Sequence, residues 1–437
     1  MTGPFFANTT TVSVHYSTGG TRKKSGVPSA VLPFSLPLLP NLTSLTWTNA
    51  SDETFQYIRL FMTPKLTMLH ISTAHHGSSF TFGPSEQSIL SSVARSCPLI
   101  SDFGFDFRRN RDQSTESVGD PSTMLQLWSQ LTSVRTRTLS EAAILHLSNL
   151  PSLRVLKFTL PSTLVSADTR KLLQRPVFCA LQELDISCKN MVFLDTFLEK
   201  LTVTPKVLSF TITHGVDSAR VLPGLISRLF NACAHNSLRQ VRLSITNREL
   251  ADRGTSLGAA AFQPFFAIRN LRMFNFATSG YCAVRLDDAT LLQMAKAWPL
   301  LEDLSITGYS DSSDRVTPHA FVLLLSHCPR LVSVAIPVDW GMIDRSGIPR
   351  DIPYQGFYHN ILSRLVFRGT RIDSPISIAA FISAIAPNVT SIEGDDSWSM
   401  VEDLVMAVPA IREQGMRIML NRMGVEENSG NEGDSEY

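Results

Sequence analysis

A triplet of apolar residues in the pattern apolar-x-x-apolar-x-apolar recurs along almost the whole chain of 437 residues. It occurs 13 times over 347 residues, so consecutive copies begin about 29 residues apart, and two copies have Thr136 or Gly394 in the third place. A fixed period of this length predicts a solenoid, because a single short unit buries little apolar surface until its neighbours stack on it. The first positions of the copies are Leu42, Leu66, Ile100, Leu131, Leu153, Leu181, Val207, Leu238, Leu271, Leu301, Leu331, Leu362 and Val389.

Proline gives independent support for this period, which is needed because apolar triplets are common in a chain that is 43% hydrophobic. Eight of the 13 copies carry a proline two residues before the first apolar position, whereas 24 prolines in 437 residues would place fewer than one there by chance. Proline cannot continue a helix and favours an extended backbone around it. Each repeat therefore predicts a helix, a proline stop and a strand. These prolines are Pro40, Pro64, Pro98, Pro151, Pro205, Pro299, Pro329 and Pro387.

Three segments between triplets carry clear helix signals. Residues 287–298 place their apolar side chains on one face at helical spacing. Thr317-Pro318 and Ser374-Pro375 each place a hydroxyl at an expected N-cap and proline at the first helical position. These signals predict helices that end near the next proline of the repeat.

The period lies at the upper edge of the range for leucine-rich repeats. We therefore expect an α/β leucine-rich-repeat solenoid (horseshoe) with a parallel inner sheet, outer helices and about 13 irregular repeats. The expected organisation is a flexible leader over residues 1–37, a repeat domain with a C-terminal capping helix over 38–422, and a disordered acidic tail over 423–437.

Composition excludes several classes of protein. A formal net charge of +1 gives no overall attraction to nucleic acid or to an anionic membrane. No apolar run reaches the ~20 residues of a membrane-spanning helix, and the N-terminus lacks the apolar core of a signal peptide. The six cysteines lie far apart in sequence, so we expect small core residues in a reducing compartment, with a cytoplasmic and/or nuclear location.

Three stretches resemble the repeats of fungal F-box/leucine-rich-repeat proteins. Residues 287–306 resemble one whole repeat, and Cys97-Pro98 and Cys328-Pro329 resemble the Cys-Pro-x-Leu junction of the cysteine-containing subtype, with Ile100 in the leucine place of the first. In that family an F-box binds a Skp-type adaptor and cullin of an SCF ubiquitin ligase, and the repeats bind the protein to be ubiquitinated. The resemblance thus implies a substrate-recognition region.

The chain departs from this family at its N-terminus. Residues 1–39 lack the apolar helical period of an F-box. Two explanations remain open: either the chain is the C-terminal part of a longer receptor, or it works without the adaptor. The alternative function is a free-standing leucine-rich-repeat scaffold unrelated to ubiquitination.

Alternation along each strand identifies a candidate binding surface, since residues between the triplet positions face away from the core. On the concave face this rule predicts charged neighbours of one sign, which suit a protein ligand better than the continuous basic stripe that nucleic acid requires. No catalytic, phosphate-binding or metal-binding motif is present, so we expect no enzymatic activity, cofactor or metal. The candidate protein-binding residues are His70, Asp102, Asp106, Arg135, Arg137, Lys157, Glu183, Asp185, Arg242, Asn275, Asp303, Arg364 and Arg368.

Overall fold

The chain folds into two compact units of parallel strands and helices in a computed structural model. The first unit comprises residues 1–216 and 224–238, and the second comprises residues 217–223 and 239–437. The structure describes residues 9–15, 37–50, 55–73, 84–106, 121–161, 163–174, 177–199, 201–213, 222–228, 237–246, 256–279, 283–308, 316–346, 356–367, 372 and 374–429.

The described residues of the first unit form eight strands in chain order, each hydrogen-bonded in parallel to the next. They are β1 Thr11–His15, β2 Ser44–Ala50, β3 Met68–Thr73, β4 Asp102–Asp106, β5 Ser133–Thr138, β6 Val155–Thr159, β7 Glu183–Cys188 and β8 Val207–Ile212.

In the part of the second unit that the structure describes, six strands are paired in the same way, and a separate parallel pair is formed by Ser256–Leu257 and Ala283–Val284. Its strands are β9 Gln240–Thr246, β10 Ser256–Leu257, β11 Met273–Ser279, β12 Ala283–Val284, β13 Asp303–Thr307, β14 Ser333–Ala335, β15 Arg364–Phe367 and β16 Ser391–Gly394. The expected α/β solenoid of strand-and-helix repeats is confirmed.

Helices connect successive strands, and their aromatic side chains meet those of the strands in the core. Phe197 lies 5.9 Å from Phe158 of β6, and Trp298 lies 4.9 Å from Phe274 of β11, measured between ring centroids. The helices are α1 Pro84–Ser96, α2 Ser122–Leu125, α3 Glu141–Ser148, α4 Ala167–Leu172, α5 Met191–Leu198, α6 Ala259–Phe262, α7 Asp288–Ala297, α8 Pro318–His327, α9 Gly341–Ser346, α10 Pro375–Ile385 and α11 Asp396–Ser429, with 3-10 turns at Gln56–Phe61 and Gln263–Ala267 and a further helical stretch at 222–228.

The helix signals agree with the structure at α7 and α8. Thr317 is the N-cap of α8, and its hydroxyl accepts a hydrogen bond from the Ala320 amide. Ser374 is the N-cap of α10 as expected, but its hydroxyl contacts the hydroxyl of Ser377 at 2.8 Å and makes no capping hydrogen bond with the first turn of the helix.

The apolar triplets form the core in the predicted register in 12 of the 13 repeats, with every first and second position buried. The seventh repeat, which begins at Val207, is the exception. Leu208 pairs with Leu184 and Phe210 with Ile186, so Val207 is half-buried and Pro205 occupies the first core position. The prediction at Val207 was wrong by two residues, because apolar residues at 207, 208, 210 and 212 fit two registers and only pairing with β7 distinguishes them.

A row of polar side chains crosses the core three residues before the first triplet position. In the first unit, Thr63 donates to the Pro40 carbonyl, and Trp128 donates to the Cys97 carbonyl at 3.0 Å. The Cys97 thiol hydrogen-bonds to the backbone of Thr63 between them. Thr63 and Trp128 thus each donate a hydrogen bond to a carbonyl of the preceding repeat, which compensates for their removal from water.

The second unit repeats this arrangement. Trp298 donates to the Phe265 carbonyl at 3.1 Å, Cys328 to the Trp298 carbonyl at 3.5 Å, and His359 to the Cys328 carbonyl at 3.1 Å. The cysteines of the two Cys-Pro junctions therefore serve as links in these rows.

Two boundaries differ from the expected organisation. Strand β1 lies inside the segment expected to be a flexible leader, because its backbone pairs in parallel with β2. Helix α11 continues to Ser429, past residue 423 where a disordered tail was expected to begin. Its first turns bury Trp398, Val401 and Val405.

Candidate functional site

The candidate residues lie on the face of the sheet opposite the core, which we call the open face of each unit. In the first unit these residues alternate with buried triplet residues on β3 to β7, and in the second unit they alternate on β9, β11, β13 and β15. Arg368 lies outside the described residues. The first-unit open face carries His70, Asp102, Asp106, Arg135, Arg137, Lys157, Glu183 and Asp185, and the second-unit open face carries Arg242, Asn275, Asp303 and Arg364.

Asp102 lies at the centre of a cluster that spans three strands. Its Oδ1 is 3.1 Å from His70 Nε2 on β3 and 3.5 Å from an Arg135 guanidinium nitrogen on β5. Gly104 makes this contact possible, since a Cβ there would lie 2.7 Å from the His70 ring. Any larger residue at position 104 would displace the imidazole from Asp102.

The Asp102 carboxylate is stabilised in its ionised form. Burial raises the pKa of Asp102, but the hydrogen bond from His70 and the positive charge of Arg135 outweigh it, so the pKa lies below its ordinary value. The group therefore carries a negative charge at neutral pH and holds two side chains of neighbouring strands in place.

The remaining charges of the first-unit open face also meet partners of opposite sign. Arg137 Nε lies 3.2 Å from Asp106 Oδ1. Lys157 Nζ lies 2.6 Å from Glu183 Oε1 and 4.0 Å from Asp185 Oδ2. Charges that are grouped by sign along the sequence are thus paired across strands, because parallel register places β4 beside β5 and β6 beside β7.

Asp303 of the second-unit open face is in a different electrostatic state from Asp102, although both occupy the same position of the repeat. No cation among the described residues lies within ion-pair distance of it. Burial raises the pKa of Asp303, and the more distant charges of Arg364 and Arg242 only partly oppose the effect. Its ionisation is therefore penalised by the fold.

The neighbouring residues of the second unit bind one another. Arg364 contacts Glu393 of β16 through Nε at 3.0 Å and through a terminal nitrogen at 2.5 Å. Arg242 contacts the side-chain oxygen of Gln240 at 3.5 Å, and Asn275 lies between Arg242 and Ser305 in the strand register. Sequence reasoning missed Glu393, which the alternation rule would have found four residues after Val389.

The cysteine thiols of the core are poor nucleophiles at neutral pH. Burial raises the pKa of Cys97 to about 11 and those of Cys188 and Cys328 to about 12, so the reactive thiolate is scarce at neutral pH. Cys179 is exposed, which corrects the expectation that every cysteine lies in the core. Cys233 and Cys282 lie outside the described residues.

Within the described ranges, no group of three or more histidine, cysteine, aspartate or glutamate side chains is arranged to hold a metal ion. None of the helices in those ranges combines the length and apolarity needed to span a membrane.

Comparison with known proteins gives only distant likenesses. No family model matches the chain, and no curated protein matches it. Similar solved structures include an internalin from Listeria monocytogenes, with 14% identity, a TM-score of 0.37 and 81% of each chain covered. They also include the Rad7 and Elc1 complex of yeast, with 14% identity, a TM-score of 0.32 and 78% of each chain covered. At these values the assignment of fold rests on the chain's own parallel sheet and repeat.

Proposed function

We propose that the chain is a protein-binding module whose ligand contacts the open face of the sheet. The observation that carries this proposal is the pairing of four cations on that face. Arg135, Arg137, Lys157 and Arg364 each contact a carboxylate of an adjacent strand. Nucleic acid would require a continuous row of cations that are free to contact phosphates. A face of mixed, paired charges with half-buried polar side chains suits a protein surface instead.

We further propose that this ligand is the substrate of an SCF-type ubiquitin ligase, for which the chain is the recognition region. Support comes from the likeness of residues 287–306 and of the two Cys-Pro junctions to F-box/leucine-rich-repeat proteins. A Skp-type adaptor and cullin would then be partners in the cytoplasm and/or nucleus. The second candidate is a free-standing leucine-rich-repeat scaffold unrelated to ubiquitination.

The test compares the proteins that bind to three forms of the tagged chain in an extract of its native cell. Ser209 on β8 and Ser305 on β13 lie on the open faces, and neither takes part in an ion pair. Replacing both with arginine (Ser209→Arg, Ser305→Arg) adds bulk to the face without breaking the charge network. Ser326→Arg on the exposed surface of α8 is the matched control.

A ligand of the open face is a protein retained by the wild-type chain and the control but lost from the double variant. A Skp-type adaptor and cullin among the retained proteins would support the ubiquitin-ligase proposal, and their absence would favour the scaffold. If all three forms retain the same proteins in equal amounts, the open face is not the binding surface.

A further inference from the structure

Helix α11 is anchored at its beginning and more exposed further along. Trp398, Val401 and Val405 are buried, and Glu402 accepts a hydrogen bond from the Ile392 amide of the edge strand β16 at 3.1 Å. Arg412 makes a later contact, donating to the Ser383 carbonyl at 3.2 Å. From residue 409 to 419 every side chain of α11 is exposed to solvent.

A second apolar face runs along α11, away from the anchored one. Its positions alternate in spacing between four and three residues, which is the heptad spacing of a helix that pairs with another helix. Met400, Ile411 and Ile418 are 56%, 63% and 48% exposed. We call this row the seam, and its members are Met400, Leu404, Ala407, Ile411, Gln414 and Ile418.

Pro409 does not interrupt the seam. At 100° per residue it lies about half a turn from the middle of the row. It instead lines a groove of about 530 Å³ on the body side of the helix, together with Val405 and Pro387. A helix that packed on the seam would therefore not meet the proline ring.

The seam positions are arranged symmetrically about residue 409. In an antiparallel pair of two copies, each seam position therefore falls opposite another seam position. Met400 of one copy falls opposite Ile418 of the other, and Leu404 opposite Gln414. In the central layers Ala407 falls opposite Ile411, a small residue against a large one, which allows side chains to interdigitate.

The charges beside the seam favour this antiparallel arrangement over a parallel one. Asp403 and Arg417 both directly precede a seam residue and lie on the same flank. In an antiparallel pair this flank faces itself, which places Asp403 and Arg417 of opposite copies about 3 Å apart along the axis. In a parallel pair Asp403 would instead face the side that holds Val401 and Val408, which are uncharged.

We propose that two copies of the chain associate through the seam as an antiparallel pair of α11 helices, with Asp403 of each copy bound to Arg417 of the other. Arg417 is available for this exchange, because its present bond to Glu413 is an exposed pair within one helix, with side chains 74% and 65% accessible. The dimer carries two copies of every open face, so a ligand with two matching sites would bind with avidity. The association does not depend on what the open face binds.

The experiment is sedimentation equilibrium of the full chain over a wide range of concentration. We expect the mass to rise with concentration from 48.3 kDa towards twice that value. Ile411→Glu, which brings two carboxylates together near the symmetry axis, is expected to weaken association by about a hundredfold or more. Met406→Glu is the matched control, since Met406 lies on the same helix, is 39% exposed and is outside the seam.

Charge reversal tests the orientation. Asp403→Arg and Arg417→Asp alone are each expected to weaken association about three- to tenfold, and the two together to restore it. Circular dichroism checks that each variant is folded. A chain that remains a monomer at every concentration would overturn the proposal. So would equal effects of Ile411→Glu and Met406→Glu, or a double reversal that fails to restore the dimer.

Discussion

His359 provides a test of the polar rows that link one repeat to the next. Its side chain is 4% exposed and makes two hydrogen bonds. Nε2 donates to the Cys328 carbonyl at 3.1 Å, and Nδ1 accepts from the Leu362 amide at 3.1 Å. His359→Phe keeps a planar ring of similar size in the core and removes both bonds.

The expected loss of stability depends on which hydrogen bonds the two backbone partners of His359 keep in the variant. The Cys328 carbonyl keeps a bond from the Leu331 amide, so losing its second bond costs about 0.5–1.5 kcal/mol. The Leu362 amide loses its acceptor inside the core, which costs about 1–3 kcal/mol. Burial of the phenyl ring, which is more apolar than imidazole, offsets about 1 kcal/mol of this loss. We therefore expect His359→Phe to lower the free energy of unfolding by about 2 kcal/mol.

Urea unfolding followed by tryptophan fluorescence measures this change, because all five tryptophans are fully buried. His319→Phe on the exposed surface of α8 is the control and should change stability by no more than about 0.5 kcal/mol. Hydrogen exchange gives a local measurement, since the Leu362 amide should lose protection by about a factor of 30 at 2 kcal/mol. Equal midpoints for the two variants, with unchanged protection of Leu362, would refute the role assigned to the row.

Four further predictions concern the core, the helix starts and the open face. Leu304→Asp puts a charge among fully buried residues and should cost several kcal/mol of stability or unfold the chain. Ser305→Asp on the open face should leave the melting temperature nearly unchanged. Equal loss of stability in both variants would disprove the alternation of buried and open-face residues along the strand. Asp288→Ala removes two bonds to the N-cap of the next helix and should cost about 1–2 kcal/mol in urea unfolding. Asp102 has a lowered pKa, so it contributes stability at neutral pH that is lost as the pH falls through its folded-state pKa. Asp102→Asn should therefore lower the free energy of unfolding at pH 7 by about 0.2–1 kcal/mol and have little effect on it at about pH 2. Asp303 has a raised pKa, so its ionisation opposes folding above that pKa, and Asp303→Asn should raise stability at pH 7; a decrease would contradict the assignment.

The period of apolar triplets and prolines was sufficient to predict the class of fold. Three inward positions and a proline stop in each repeat are local features, and any stack of such units must bury the same positions. For this reason the triplet register held in 12 of 13 repeats, and alternation placed His70, Asp102 and Arg135 on the open face.

Electrostatic pairing could not be obtained in the same way. Asp102 and Asp303 occupy the same position of the repeat, yet the pKa of one is lowered and that of the other is raised. The difference comes from residues on neighbouring strands, which are about 30 positions away in sequence. It also depends on the space that Gly104 leaves for the His70 ring. A repeat pattern specifies which way a side chain points but not which partner it meets.

The sequence by itself thus determined the solenoid, the core positions and the orientation of the candidate site, because these depend on periodicity along one chain. The tertiary structure alone decided that Pro205 replaces Val207 in the core, that polar side chains link successive repeats, and that the charges of the first open face are paired across strands. Each of these depends on the register between strands, which is set by the packing of whole repeats against one another.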